Sequence, residues 1–199
     1  MPDQRKNILN AALGEFSGNG LAGARLQAIA DEVGVTKAMI HYYFGSKEKL
    51  FREVFTVAYQ TVIGDLLKCL ETDKPVFPKI EEFVQRAIER FHTDPALVDF
   101  ITNSLNKYPG TTVPLMKELM DYDAAVFDKQ LQEAASRYEI AAIDSDQIVL
   151  NMLSLCMFPY SARVFMSELL HKDRKKAYRE LLEQRKGIVT DTIINWLAS

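Results

Sequence analysis

Residues Arg25 to Phe51 read RLQAIADEVGVTKAMIHYYFGSKEKLF. Leu26, Ile29, Ala30 and Val33 recur at three- and four-residue intervals, the spacing of one apolar helix face, and the run meets Gly34, a residue suited to the left-handed position just past a helix end. Only Val35 separates Gly34 from Thr36, a natural N-cap for a next helix over about Lys37–Tyr43. Two short helices joined by so tight a glycine-containing turn must cross steeply, which is the geometry of a helix-turn-helix. Ser46 then caps a longer helix, with Glu48 in its first turn, where the helix dipole favours negative charge.

Outward from this stretch the helical spacing continues almost everywhere, and sustained two-residue alternation is hard to find, so the chain reads as all-α with about nine helices. The first runs from about Asp3 to Phe16 on a stripe of Ile8, Leu9, Ala12, Leu13 and Phe16, and stops in Ser17-Gly18-Asn19-Gly20. The fourth continues past Phe51, Phe55 and Leu66 to near Leu70 and ends in Thr72-Asp73-Lys74-Pro75. A fifth carries Phe77, Ile80, Val84, Ala87, Ile88 and Phe91. A sixth spans about Pro95 to Asn106, with Asp94 as cap and proline at the first position. The seventh starts near Pro114 and reaches Leu131. The eighth, capped by Asp144 with Gln147 three residues on, continues to about Leu170 with a kink at Pro159. The ninth is capped by Asp173 and runs to Leu197. The implied organisation is an N-terminal three-helix module over residues 1–50, with the helix-turn-helix at 25–44, and a larger helical module over 51–199.

Composition narrows the classes. The 199 residues are 48% hydrophobic and 26% charged with 9 Gly and 7 Pro, an ordinary globular balance rather than a disordered or fibrous one. Cys69 and Cys156 stand far apart with no Cys-x-x-Cys or Cys/His cluster, which excludes a disulfide framework and the usual zinc spacing; both read as small buried hydrophobes. No signal-peptide pattern opens the chain and no stretch approaches the roughly 18 apolar residues of a membrane span, so the expected location is cytoplasmic, with no membrane partner. Asp121 and Asp123, and Glu81 and Glu82, sit at spacings that do not share a helix face and so build no acid/base pair. There is no phosphate-cradling glycine loop, and His41, His92 and His171 lack metal-ligand spacing. The expectation is no enzyme, no catalytic residue, no metal and no cofactor.

The run Ile29-Ala30, Gly34-Val35, Thr36, Tyr42-Tyr43-Phe44, Ser46-Lys47-Glu48 and Leu50 resembles the DNA-binding signature of the TetR family of bacterial regulators. The likeness covers about fifty N-terminal residues; the rest resembles the family only in being helical. It implies a ligand-responsive DNA-binding regulator, a repressor that binds a palindromic double-stranded operator as a homodimer and is released by a small effector. Many family members carry Thr or Ser at the positions of Ala24 and Arg25, so the cap of the second helix is in question here, while Arg25 offers phosphate a charge instead. His41 stands where tyrosine is common; it too can donate to phosphate.

Groove geometry then assigns expectations. A recognition helix presents its N-terminal residues to base edges while neighbouring groups grip phosphate. Thr36 offers a hydroxyl and a backbone N–H along the helix dipole; Lys37 can donate to guanine or fall back on phosphate; Ala38 permits close approach and contact with a thymine methyl. His41, Tyr42 and Lys47 are the expected backbone clamps, with Gln27 at the start of the second helix an open case. Tyr43, Phe44 and Ile40 read as core, Met39 as either, and Lys49 as either a phosphate ligand or a solvated charge.

In the larger module the resemblance implies an effector pocket and a dimer interface. Its Met and aromatic content suits an apolar or aromatic ligand, with Met116, Met120, Phe127, Met152, Met157 and Tyr160 as candidate lining and Asn103 as a polar contact; the competing reading is that these are core. The last two long helices, with Met152, Leu153, Leu155, Met157 and Phe158, then Leu181, Ile188, Ile193 and Leu197, carry enough apolar area for a four-helix interface between protomers. The alternative is a helical small-molecule-binding or scaffold protein whose helix-turn-helix no longer reads DNA. Residues 1–50 hold 6 Lys+Arg against 5 Asp+Glu, a net of +1, and the remainder 18 against 22, a net of −4. A near-neutral head must draw on a few placed groups and on doubling by dimerisation, so its non-specific affinity is expected to be modest.

Overall fold

The computed structural model describes residues 2–138, 143–171 and 175–198, and every regular element among them is helical. The helices are α1 (Pro2–Gly23), α2 (Leu26–Glu32), α3 (Lys37–Phe44), α4 (Lys47–Tyr59), α5 (Asp65–Lys68), α6 (Val76–Thr93), α7 (Pro95–Lys107), α8 (Pro109–Leu119), α9 (Ala124–Tyr138), α10 (Ser145–Ser161), α11 (Arg163–His171) and α12 (Lys175–Leu197). A π turn, Gln60–Gly64, joins α4 to α5, and a 3-10 turn, Cys69–Glu71, extends α5, so with this run counted once the described residues make eleven helices.

The excess over about nine has physical causes. The expected seventh helix is two, α8 and α9, separated by the non-helical residues 120–123. α8 begins at Pro109, in the first-turn position that needs no N–H, and Pro114 lies inside it rather than at its start. The expected kink at Pro159 does not interrupt the helix there: Pro159 lies inside α10, and the break comes three residues on, at Ala162, where α10 and α11 meet at a bend of 78°. Proline has no N–H to give the carbonyl four residues back, Leu155, and Arg185 of α12 supplies that donor at 2.9 Å. The Pro159 carbonyl, in the last turn of α10, accepts from the Tyr178 hydroxyl at 2.6 Å. The expected Asp173 cap lies outside the described residues.

The chain divides into two compact units: Met1–Thr61 with Asp99–Met120, and Val62–Val98 with Asp121–Ser199. Residues 99–120 thus belong with the N-terminal helices. In this first unit α4 buries Leu50, Phe51, Val54, Phe55, Ala58 and Tyr59, a two-sided stripe, against Ile8, Ala12 and Phe16 of α1 and against Phe100, Ile101 and Leu115. Phe51 is the hub. Its ring meets Phe16 edge-to-face at 5.2 Å, Phe100 at 5.7 Å and Tyr108 at 5.8 Å, and stacks on Phe55 at 6.3 Å. Arg52 adds an ion pair to Glu118 at 3.2 Å, and Arg5 pairs with Glu53 while lying over the Phe44 ring.

In the second unit α6 is the axis. Val76, Ile80, Phe83, Val84, Ala87, Ile88 and Phe91 are buried along it, facing Ile148, Met152, Cys156 and Tyr160 of α10 and Tyr178, Leu182, Val189, Ile193 and Leu197 of α12. Phe127, Leu131 and Ala134 of α9 complete the interior. Lys79 is wholly buried; its ammonium donates to the Leu70 carbonyl at 2.6 Å, in the 3-10 turn that follows α5, where a helix end favours a cation, and burial holds its pKa below the ordinary value. Burial pushes the Cys69 thiol up to about 11 and the Cys156 thiol to about 12, so neither is a thiolate near neutral pH. No single described helix is long and apolar enough to cross a membrane.

α1 does not stop in Ser17–Gly20; it breaks at Gly20 and resumes for a last turn to Gly23. Gly20 has φ 65° and ψ 176°, a region essentially closed to other residues, and a Cβ there would stand 2.5 Å from the Tyr108 hydroxyl. Gly20→Ala should therefore cost about 1–3 kcal/mol. Urea unfolding measures it; a change below about 0.3 kcal/mol would contradict the assigned backbone conformation.

Candidate nucleic-acid interface

The turn between α2 and α3 is built by local signals. Gly34 takes φ 67°, the Val35 N–H closes onto the Ala30 carbonyl at 2.9 Å, and Thr36, extended at φ −87°, caps α3 by accepting from the Met39 N–H at 3.2 Å. Ile40 and Phe44 bury one side of α3 against the core. Thr36, Lys37, Ala38, Met39, His41 and Tyr42 are exposed, so the structure brings together on one short helix five of the residues singled out for DNA, and adds Met39. The Lys37 and Ala38 N–H groups stand in the first turn, where a helix has no acceptor of its own and the dipole is positive. Tyr42 is 84% exposed, with its ring edge-on to Tyr43 at 5.5 Å.

The flanking residues are held more tightly. His41 Nδ1 lies 2.9 Å from the Gly45 carbonyl; as donor there, it leaves Nε2 facing outward. Ser46 caps α4 by accepting from the Lys49 N–H at 3.2 Å, and Glu48 is held below the usual carboxylate range by its own backbone N–H and by the Ser46 hydroxyl. Lys47 is half-buried, and its ammonium donates to the Ala22 and Ala24 carbonyls, both at 3.1 Å, which leaves one N–H of three for any further acceptor. Arg25 and Gln27 are exposed at the start of α2. No side chain caps that helix; the Arg25 N–H instead donates to the Glu15 carboxylate at 2.9 Å, and Gln27 donates to Asp31 at 2.7 Å. The Lys47 and Glu15 contacts carry no sequence signal, because each joins residues brought close only by packing.

The candidate ligand residues are not gathered in the same way. Asn103, Met116 and Met120 lie in the first unit, and Asn103 and Met120 are exposed. Phe127 and Met152 are wholly buried in the second unit, and Met157 is half-buried there. Tyr160 lines a cavity of about 310 Å³ with Ile88, His92, Thr93, Leu182 and Lys186. Of the helix faces expected at a dimer interface, Met152, Ile193 and Leu197 are interior, whereas Phe158 and Ile188 are 54% and 51% exposed. Among the described residues, no group of three or more His, Cys, Asp or Glu is placed to hold a metal ion.

Residues 8–54 match the family model described as bacterial regulatory proteins, tetR family. The HTH-type transcriptional regulator RutR of Escherichia coli (strain K12) is 36% identical over 86 residues, 43% of this chain and 40% of RutR, so the match spans less than half of that relative. The HTH-type transcriptional repressor BepR of Brucella suis biovar 1 (strain 1330) is 28% identical over 182 residues, 86% of this chain and 83% of BepR. Among solved structures, the fatty acid degradation regulator FadR from Bacillus halodurans superposes with a TM-score of 0.65 at 16% identity over 94% of each chain, a likeness of fold. The matched segment runs from within α1 into α4 and includes the caps of α3 and α4 and the exposed outer face of α3, so over these residues the chain is similar to the tetR family of bacterial regulatory proteins.

Proposed function

We propose that this protein is a DNA-binding transcriptional repressor that acts as a homodimer on a palindromic operator and is released by a small apolar or aromatic effector. The observation that carries the reading is α3: a capped helix, seated by Ile40 and Phe44, whose N-terminal turn and outer face stand free of the core. Inserted into a major groove, Lys37 and Ala38 meet base edges, Thr36 and the first-turn N–H groups meet phosphate, and His41 and Tyr42 grip the flanking backbone. Arg25, Gln27 and the remaining N–H of Lys47 extend the phosphate contacts from α2 and α4. Such a protein works in the cytoplasm, and this reading gives it no catalytic task.

Dimerisation is assigned to the outer faces of α10 and α12. Leu150 and Phe158 of α10 and Ile188 of α12 are large, apolar and exposed, and they share the second unit. Two copies packing these faces form a four-helix contact and present two α3 helices to successive turns of one duplex, about 34 Å apart. The effector is assigned to the second unit, where the Tyr160 cavity falls in the size range of small-molecule sites.

Selection from random-sequence duplexes, with footprinting of the enriched DNA, tests the reading. A palindrome protected over two adjacent turns, with affinity falling steeply as salt rises, is the expected result. Folded dimeric protein that enriches nothing would sink it and leave the scaffold reading. Lys37→Ala should cost about 1–3 kcal/mol and relax the preference at one position of each half-site; a uniform loss across sequences would reassign Lys37 to phosphate. Phe158→Glu with Ile188→Glu should give monomers by analytical ultracentrifugation and abolish tight binding to the palindrome. If the variant stays dimeric, the interface lies elsewhere.

A further inference from the structure

The last turn of α1, Gly20 to Ala24, is where contacts from three directions converge, and none of them is required by the fold of α1 itself. The Ala24 N–H closes the turn on the Gly20 carbonyl at 3.0 Å. From one side comes Tyr108, at the entry to α8. Its hydroxyl accepts the Ala22 N–H at 3.4 Å and lies so close over Gly20 that only glycine fits beneath it, while its ring is held edge-on by Phe51. From the other side comes Lys47, the first residue of α4, whose ammonium takes the Ala22 and Ala24 carbonyls. At the end of the turn the Arg25 N–H is fixed by Glu15, and α2 begins at the next residue.

Ala22 is therefore bonded through its N–H to Tyr108 and through its carbonyl to Lys47. Lys47 stands three residues beyond Phe44, the end of α3, and Ala24 stands two before Leu26, the start of α2. One short turn thus carries the position of residue 108 to the ends of both helices of the helix-turn-helix. We propose that Tyr108 is a positioning residue for DNA recognition: through the Gly20–Ala24 turn and Lys47 it sets how α2 and α3 are presented to the duplex, although Tyr108 itself touches no DNA. The inference rests on the reading of α3 as the recognition helix. It assigns Lys47 a second task, as the clasp on the far side of the turn, and makes the α7–α8 turn part of the DNA-reading apparatus.

The experiment is a double-mutant cycle on the dissociation constant for the duplex that the wild-type protein enriches, using Tyr108→Phe, Lys47→Met and the pair, each first checked for a cooperative thermal transition and for dimer formation. Tyr108→Phe keeps the ring on Phe51 and deletes only the hydroxyl, and should weaken binding about threefold to tenfold. Lys47→Met weakens it more, since a charge also goes. Because both act on Ala22, the double variant should bind at least about threefold tighter than the product of the single losses predicts. Independent effects, with the double variant within about twofold of that product, would overturn the proposal. Amide spectra keep it testable if Lys47→Met does not fold: Tyr108→Phe should move the resonances of Ala22, Ala24, Ser46 and Lys47, and a shift confined to Ala22 would refute transmission across the turn. A wild-type protein that enriches no duplex would instead refute the DNA-binding reading, so the two failures are distinguishable.

Discussion

The rest of the first unit depends on the ring of Phe51. It meets α1 through Phe16 and residues 99–120 through Phe100 and Tyr108, with Phe55 one turn along repeating the contact to Phe100 at 6.4 Å. Each such aromatic pair contributes about 0.5–1.5 kcal/mol beyond the area it buries, and truncating a buried phenylalanine costs about 3–5 kcal/mol. That is a large share of the stability of any domain. Three helices alone would leave the outer half of the α4 stripe in water. The segment 99–120 covers it, and for this reason a stretch distant in sequence belongs to the unit that carries the helix-turn-helix.

The second unit answers a different constraint. Pro159, in the last turn of α10, gives no N–H to the Leu155 carbonyl, and a buried carbonyl left without a donor costs about 1–3 kcal/mol. Arg185 and Tyr178, both on α12, cover the two carbonyls concerned. The same proline thus helps to fix where α12 lies along α10. Lys79 does similar work at the other end of α6, where it covers the Leu70 carbonyl, in the turn that follows α5, from inside the core.

What could be read from sequence follows from the range of each signal. Thr36 and Ser46 as caps, Gly34 as the left-handed residue and Ile40 and Phe44 as the seated face of α3 are all settled within four or five residues, and the structure has them where the spacing put them. So do the buried stripes of α4 and α6. The failures are of a different kind. Ser17–Gly20 looks like a stop, yet the chain bends at Gly20 and takes one more helical turn, and the group packed against that bend is the hydroxyl of Tyr108, 88 positions on. Lys47 reads as a solvated charge or a phosphate ligand, and nothing local tells that Ala22 and Ala24 have carbonyls to offer it. Met and aromatic residues at helical spacing look alike whether they fill a core, as Phe127 and Met152 do, or border a cavity, as Tyr160 does. Periodicity reports that a side chain is turned inward, not what occupies the space it meets.

The central claim is that residues 99–120 and the helix-turn-helix are one cooperative body joined at Phe51. Native-state hydrogen exchange as a function of denaturant tests it most directly. The amides of α1, of α4, of α7 from residue 99 onward and of α8 should share one opening free energy and one denaturant dependence. Exchange of 99–120 through a separate, lower-energy opening, with α1 to α4 still protected, would contradict it.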